Sequence, residues 1–190
     1  MITKKQARQL SKKNLSARRY EHTLNVEKMA IRLAKLYDED VEAASIAALL
    51  HDIAKEKPRQ ELLQIIQDDA IIAASCEKSP PTVWHGAAAA VLANREYGVD
   101  NEDILNAIRY HSTGRAGMSC LEKIIYMADM VSEERQYPEA EYLRGRVLKN
   151  LNEGTLEALR ISIDWVKQDG KQLDEETVAA YEALKSFYNN

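Results

Sequence analysis

Cysteine is scarce in this 190-residue sequence: only Cys76 and Cys120 occur, and neither belongs to a C-x-x-C pair. Two isolated thiols cannot build the cross-linked framework of a small secreted fold, and they fit free thiols in a reducing compartment. Cys120 stands where a helix is expected to begin, a position that lowers a thiol's pKa. Glycine (7) and proline (4) are also rare, and the aromatic residues include a single Phe. With so little punctuation and with Ala, Leu, Glu and Lys abundant, helix is the default expectation. No apolar run approaches the roughly 20 residues that span a bilayer. The basic start, MITKKQARQLSKKNL, lacks the apolar stretch of a signal peptide. A cytoplasmic protein without a membrane partner is therefore expected. Low-complexity tracts are missing too, and 45% of residues are hydrophobic, which excludes a disordered chain. A chain of this length fits one domain over residues 1–190, with enough core to need no staples.

Charge is uneven along the chain. Residues 1–20 hold seven bases (Lys4, Lys5, Arg8, Lys12, Lys13, Arg18 and Arg19) and no acid, leaving 19 bases against 30 acids elsewhere. The arm has little aromatic interleaving and belongs to an acidic whole, so it reads as a solvated helix face rather than a nucleic-acid contact. Arg18 and Arg19 stand apart from the others, because they lie one helical turn before a histidine.

A series of helices joined by short turns is predicted, an all-α chain with no period-2 segment long enough for a sheet. Ser16 caps a helix to about Tyr37, with His22, Val26, Met29, Ala30, Leu33 and Tyr37 along one face. Asp40 caps a helix through AASIAALLHDIAKE that stops before Pro58. A short amphipathic helix follows in RQELLQIIQ. The turn SPPT precedes a helix from near Trp84 to Gly98, whose small residues Gly86 to Ala90 allow a neighbouring helix to come close. The pattern ILNAIRYH is helical and leads into the loop STGRAGMS. Ser119 and Glu122 form a capping box for LEKIIYMADMV. Three further helical patterns, near 139–151, 155–169 and 175–188, are ended or separated by Gly154 and Gly170. A core over about 16–135 is thus expected, with helices over about 139–188 completing the bundle.

The four histidines, His22, His51, His85 and His111, each fall at or near a position where a helix turns inward. Asp52 in AALLHDIA and Asp129 in IIYMADMV interrupt otherwise apolar strings. A buried carboxylate has to be paired, hydrogen-bonded or bound to metal. Separate core roles, with Arg109 or Lys123 as ion-pair partners, would need a different explanation for each of the six residues. One shared metal site accounts for all of them. Four imidazoles and two carboxylates suit Fe, Mn, Co or Zn, and exceed what one tetrahedral ion uses. Two divalent ions are therefore expected, with one carboxylate able to bridge.

The order His22, His51-Asp52, Asp129 resembles the HD-domain superfamily of metal-dependent phosphohydrolases, with His85 and His111 marking the two-metal subset. The strings RRYEH, HDIAK, WHGAAAA, RYHSTGRAGMS and YMADMVSEER, in that order, resemble the bacterial YqeK-type symmetrical dinucleoside tetraphosphate hydrolases over nearly the whole chain. The resemblance implies a helical HD bundle with two metals in its core. One ion would be held by His22, His51, Asp52 and Asp129, the other by Asp52, His85 and His111. It implies iron as the metal, a homodimer, and cleavage of diadenosine tetraphosphate into two nucleoside diphosphates. Lys55 and Arg135 would face the phosphates, as would the loop residues Ser112, Thr113, Gly114 and Arg115; position 112 is Ser where the family commonly has Thr. Asp52, Lys55 and Arg115 are the expected catalytic residues.

The residue types suit that chemistry. Two ions about 3.5–4 Å apart stabilise developing charge on a polyphosphate and lower the pKa of a water, so that hydroxide attacks a central phosphate without a separate base. Lys55 and Arg115, with Arg18 or Arg19, would clamp the flanking phosphates. Competing readings are an HD-type phosphohydrolase acting on another nucleotide, a di-iron oxygenase, and a degenerate nucleotide-sensing module, against which the intact set of six ligands argues. A cyclic dinucleotide phosphodiesterase is disfavoured because no GYP motif is present.

Overall fold

Helix α3 (Val41–Leu50) is apolar around its whole circumference, and the rest of the chain is arranged to bury it. Every residue from Ala43 to Leu50 is buried. Asp40 starts the helix by accepting from the Glu42 and Ala43 N–H groups. Around α3 pack α1 (Lys4–Asn14), α2 (Ala17–Leu36), α7 (Glu102–Arg109) and α8 (Cys120–Val131). A second tier consists of α4 (Arg59–Gln67), α5 (Ala70–Cys76) and α6 (Trp84–Arg95), with α6 leaning on α7. The last three helices, α9 (Ala140–Val147), α10 (Leu151–Gln168) and α11 (Glu175–Asn189), join through α10 to α8. This computed structural model describes residues 2–76 and 78–189, and no strand occurs among them. One hydrophobic cluster runs continuously from Ile2 to Ala180.

Three boundaries differ from those expected. The helix predicted through Glu56 stops at Leu50, and the chain goes on in tighter turns in which Ile53, Lys55 and Lys57 N–H groups donate to Leu50, Asp52 and Ala54 carbonyls. Helix α5 was not signalled at all: AIIAASC carries no periodic apolar face, and none of its residues is buried. Gly154 does not separate helices. It lies inside α10, where a Cβ would sit 2.8 Å from Val147 Cα, so its bareness lets α9 approach. The break comes earlier, at Asn150, whose side chain accepts from the Glu153 N–H and caps α10.

The basic arm is helical as expected, but only part of it is solvated. Lys4 and Arg8 reach the buried Glu27 of α2, with nitrogen–oxygen distances of 3.0 and 2.5 Å, while the Ser45 hydroxyl of α3 donates to the same carboxylate at 2.7 Å. Burial opposes ionisation of Glu27, but these partners outweigh it and hold the carboxyl below its ordinary 4.5. A lowered carboxyl pKa contributes stability above the unfolded-state value, and the contribution fades as pH falls through the folded-state value. Glu27→Gln should therefore destabilise the protein at pH 7 by about 1–2 kcal/mol, discounted because Lys4 and Arg8 are nearly half exposed. Urea titrations should show the gap to wild type shrinking below pH 4.5. A gap that does not change with pH would refute the electrostatic account.

Candidate metal centre and adjoining cleft

Five segments deliver six side chains to one point. His22 comes from the second turn of α2, and His51 and Asp52 from the turn that follows α3. His85 is the second residue of α6, His111 lies just past α7, and Asp129 lies in the last turn of α8. The ring centroids of His22 and His51 are 5.7 Å apart, those of His51 and His111 4.8 Å, and those of His85 and His111 4.9 Å. All four histidines are buried, as is Asp52.

Asp52 lies between them. Its Oδ2 is 3.4 Å from His51 Nε2 and 3.9 Å from His22 Nε2; its Oδ1 is 3.5 Å from His85 Nε2 and 3.6 Å from His111 Nε2. Asp129 Oδ1 lies 3.1 Å from His22 Nε2. Each carboxylate oxygen of Asp52 thus serves a different pair of imidazoles.

Three of the rings are oriented by a common device. Nδ1 of His51, His85 and His111 lies 2.6, 3.1 and 2.7 Å from the carbonyl three residues earlier, that of Ala48, Thr82 and Ile108 respectively. A carbonyl only accepts, so Nδ1 carries the hydrogen and the Nε2 lone pair faces the centre. The Nε2 atoms of His85 and His111 come within 3.1 Å of each other, an approach of lone pairs that calls for a proton or a metal ion between them. The buried Nε2 atoms of His22 and His51 and the Oδ1 of Asp52 have no hydrogen-bond partner. Such orphaned atoms are costly unless something else satisfies them, and imidazole nitrogen with carboxylate oxygen is the donor set for a divalent transition metal. His22, His51 and Asp129 form one group with the spacing to hold an ion, and His51, Asp52 and His111 another.

Charge in the centre is strongly biased. Burial opposes ionisation of Asp52, but His51 and His111 outweigh it and hold the carboxyl well below its usual range. Asp129 is likewise held low: burial opposes, while the adjacent His22 ring and the charge of Arg135 prevail. Burial disfavours the charged form of His51, yet Asp52 and Asp129 raise its pKa. His85 is pushed well below its ordinary value by burial, with His111 and Lys55 adding to the effect. Both carboxylates are therefore ionised and His85 neutral at pH 7, the forms that bind metal.

The expected phosphate contacts divide into two groups. Arg19 lies on Asp52 at 3.0 Å, Arg135 on Asp129, and Lys55 Nζ is 3.0 Å from His85 Nε2. Arg18, Arg19 and Arg135 line an open cleft of about 670 Å³ that reaches His22. The loop after His111 is tied elsewhere. The Thr113 hydroxyl donates to the Gly114 carbonyl, Gly114 packs near Leu159 and Ala180, and Arg115 Nε donates to the buried Glu122 at 2.8 Å. Ser112 Oγ is buried without a partner. The structure therefore joins Lys55, Arg19 and Arg135 to the cluster, while among the described residues Arg115 pairs with Glu122 and lies over the Tyr110 ring.

Two acids at the cleft were not singled out from the sequence. Glu56 accepts from the N–H and hydroxyl of Ser16, pinning the start of α2, and Glu134 meets His22 Nδ1. Glu134 falls within YMADMVSEER, five residues after Asp129, and that adjacency was its only signal. Cys120 differs as well: it does begin α8, but burial and the nearby Glu39 push its thiol up to about 11.

A bundle of helices that buries a His/Asp set beneath a cleft carrying three arginines and three glutamates is the frame of a helical hydrolase. This chain belongs to the HD domain family, which matches residues 19–149. A Bacillus subtilis protein named bis(5'-nucleosyl)-tetraphosphatase, symmetrical, is 37% identical across 92% of this chain and 94% of its own. A protein of the same name from Halalkalibacterium halodurans is 36% identical across 94% of this chain and 95% of its own. A crystal structure of a Clostridium acetobutylicum protein, described as a predicted HD superfamily hydrolase involved in NAD metabolism, superposes with a TM-score of 0.92 at 36% identity, covering 98% of this chain and 99% of its own.

Proposed function

We propose that this chain hydrolyses diadenosine tetraphosphate and related dinucleoside polyphosphates symmetrically, releasing two nucleoside diphosphates. The division of the Asp52 carboxylate between two pairs of imidazoles, beside a cleft into which Arg18, Arg19 and Arg135 enter among three glutamates, carries this reading. In it, His22, His51, Asp52 and Asp129 hold one divalent ion, and Asp52, His85 and His111 hold the other. When bound, the two ions supply Lewis acidity and a water of lowered pKa. Arg18, Arg19 and Arg135 take phosphate oxygens in the cleft; a guanidinium has five N–H donors, so Arg19 and Arg135 keep some free beyond their carboxylate partners. Lys55 takes an oxygen on the His85 side, and the unpartnered Ser112 hydroxyl is available beside His111. Arg115 gives only its Nε to Glu122 and likewise keeps N–H donors for a phosphate, while Thr113 and Gly114 shape the loop that follows His111.

Iron as the resident metal and a homodimer rest on the resemblance, and a cytoplasmic setting completes the reading. No described helix is long and apolar enough to cross a membrane. The test is the product of an early time point. Iron-loaded protein incubated with diadenosine tetraphosphate should release ADP as the sole initial nucleotide on chromatography. Equal AMP and ATP would mean cleavage one bond outward and would remove the symmetrical activity.

A further inference from the structure

His22 lies in the interior of a helix, where neighbouring carbonyls are engaged by the backbone, so it lacks the local tether of the other three rings. Its Nδ1 lies instead 2.5 Å from Glu134 Oε1, across 112 residues of sequence. That same oxygen accepts from the Ser132 hydroxyl at 2.8 Å. The segment carrying Glu134 is in turn fastened from α9. Arg144 donates to the carbonyls of Val131, Ser132 and Arg135, at 3.0, 3.2 and 3.4 Å. Glu133, the adjacent acid, points elsewhere and pairs with the exposed Lys28 at 2.8 Å.

We infer that Glu134 is a positioning residue, which fixes the tautomer and orientation of His22 so that Nε2 faces Asp129 and Asp52. A carboxylate only accepts, so it places the hydrogen on Nδ1 and leaves the Nε2 lone pair for a cation. It also makes that nitrogen a stronger donor than a carbonyl would. His22 is thus the one imidazole of the four whose aim is set by a charged side chain. That side chain is 34% exposed and lines the cleft, so the first ion's environment is open to whatever fills the cleft. The inference rests on the two-ion reading given above.

The test is titration of metal-free protein with Co2+ alone, followed by calorimetry and the visible spectrum, on wild type, Glu134→Ala, Glu134→Gln and Glu133→Gln. Loss of such an outer partner lowers metal affinity by about 10–100-fold. Glu134→Ala should weaken one of two ions by that factor and leave the other unchanged, with no fall in the melting temperature of the metal-free protein. Glu134→Gln keeps a neutral acceptor and should recover part of the loss, and Glu133→Gln should match wild type. Nitrogen-15 spectra of the metal-free protein should show the His22 hydrogen on Nδ1 in wild type and redistributed in Glu134→Ala. Wild type binding two ions while Glu134→Ala binds both unchanged would overturn the inference and leave the two-ion reading standing. Equal weakening of both ions together with a lower melting temperature would reduce Glu134 to a structural role. Wild type binding no ion would overturn both.

Discussion

Asp52→Asn is expected to abolish turnover and to lower bound metal at both sites together. The substitution keeps the shape of the side chain and removes the charge that faces four imidazoles at 3.4–3.9 Å. Metal ions contribute several kcal/mol of charge stabilisation in the transition state, and each 1.36 kcal/mol is tenfold in rate, so activity should fall by about 1,000-fold or more. Elemental analysis of protein purified without chelator should give close to two transition-metal ions per chain for wild type and one or fewer for the variant. His85→Ala, which touches only Oδ1 of Asp52, should empty mainly one site. Near-normal turnover in Asp52→Asn would disprove its place between the ions.

The second large effect is expected at Gly86, a residue with no side chain of its own. A Cβ there would lie 2.5 Å from the Arg109 carbonyl oxygen and 3.4 Å from His111 Cε1. Alanine is the better helix former by about 0.5–1 kcal/mol, which alone would make Gly86→Ala stabilising. The contact reverses the sign, because a backbone carbonyl cannot rotate away as a side chain would. Helix α7 has to retreat from α6, and overpacking of this kind costs about 1–3 kcal/mol. For a chain of this size that is a fall in melting temperature of about 2–12 °C. The retreat also separates His111 from His85, so one metal should be lost along with the stability. A scanning calorimeter and metal analysis read both, and an unchanged melting temperature with two ions bound would show that α7 has room to yield.

The centre was more legible in the sequence than the cleft beside it, for a physical reason. His22, His51, Asp52, His85, His111 and Asp129 are polar residues inside apolar periodic strings, an anomaly visible along the chain itself. The caps Ser16, Asp40 and Ser119 were equally plain, because each acts on backbone groups two or three residues away. What failed depended on distant partners. Gly154 reads as a helix breaker until Val147 is seen against it. The Nε of Arg115 reads as free until Glu122 is found to hold it. Glu134 and Glu133 are indistinguishable as letters, and only the three-dimensional path of the segment gives one to His22 and the other to Lys28. The helix expected through Glu56 failed locally, since AALLHDIAKE has unbroken helical composition and the tight turns after Leu50 leave no mark in it.

The carbonyl tethers of His51, His85 and His111 also bear on how such a sequence can drift. Every amino acid brings the same carbonyl, so at Ala48, Thr82 and Ile108 the acceptor itself survives any substitution that the packing there admits, although Ala48 and Ile108 are fully buried. The aim of those three rings is inherited from backbone shape. His22 has no such insurance. Its acceptor is written in the side chain of Glu134 and held in register by Arg144, so a single nucleotide change can erase it. The aim of the rings is therefore unevenly guarded: beside three of the histidines a substitution is judged by packing alone, whereas at Glu134 it also removes the acceptor.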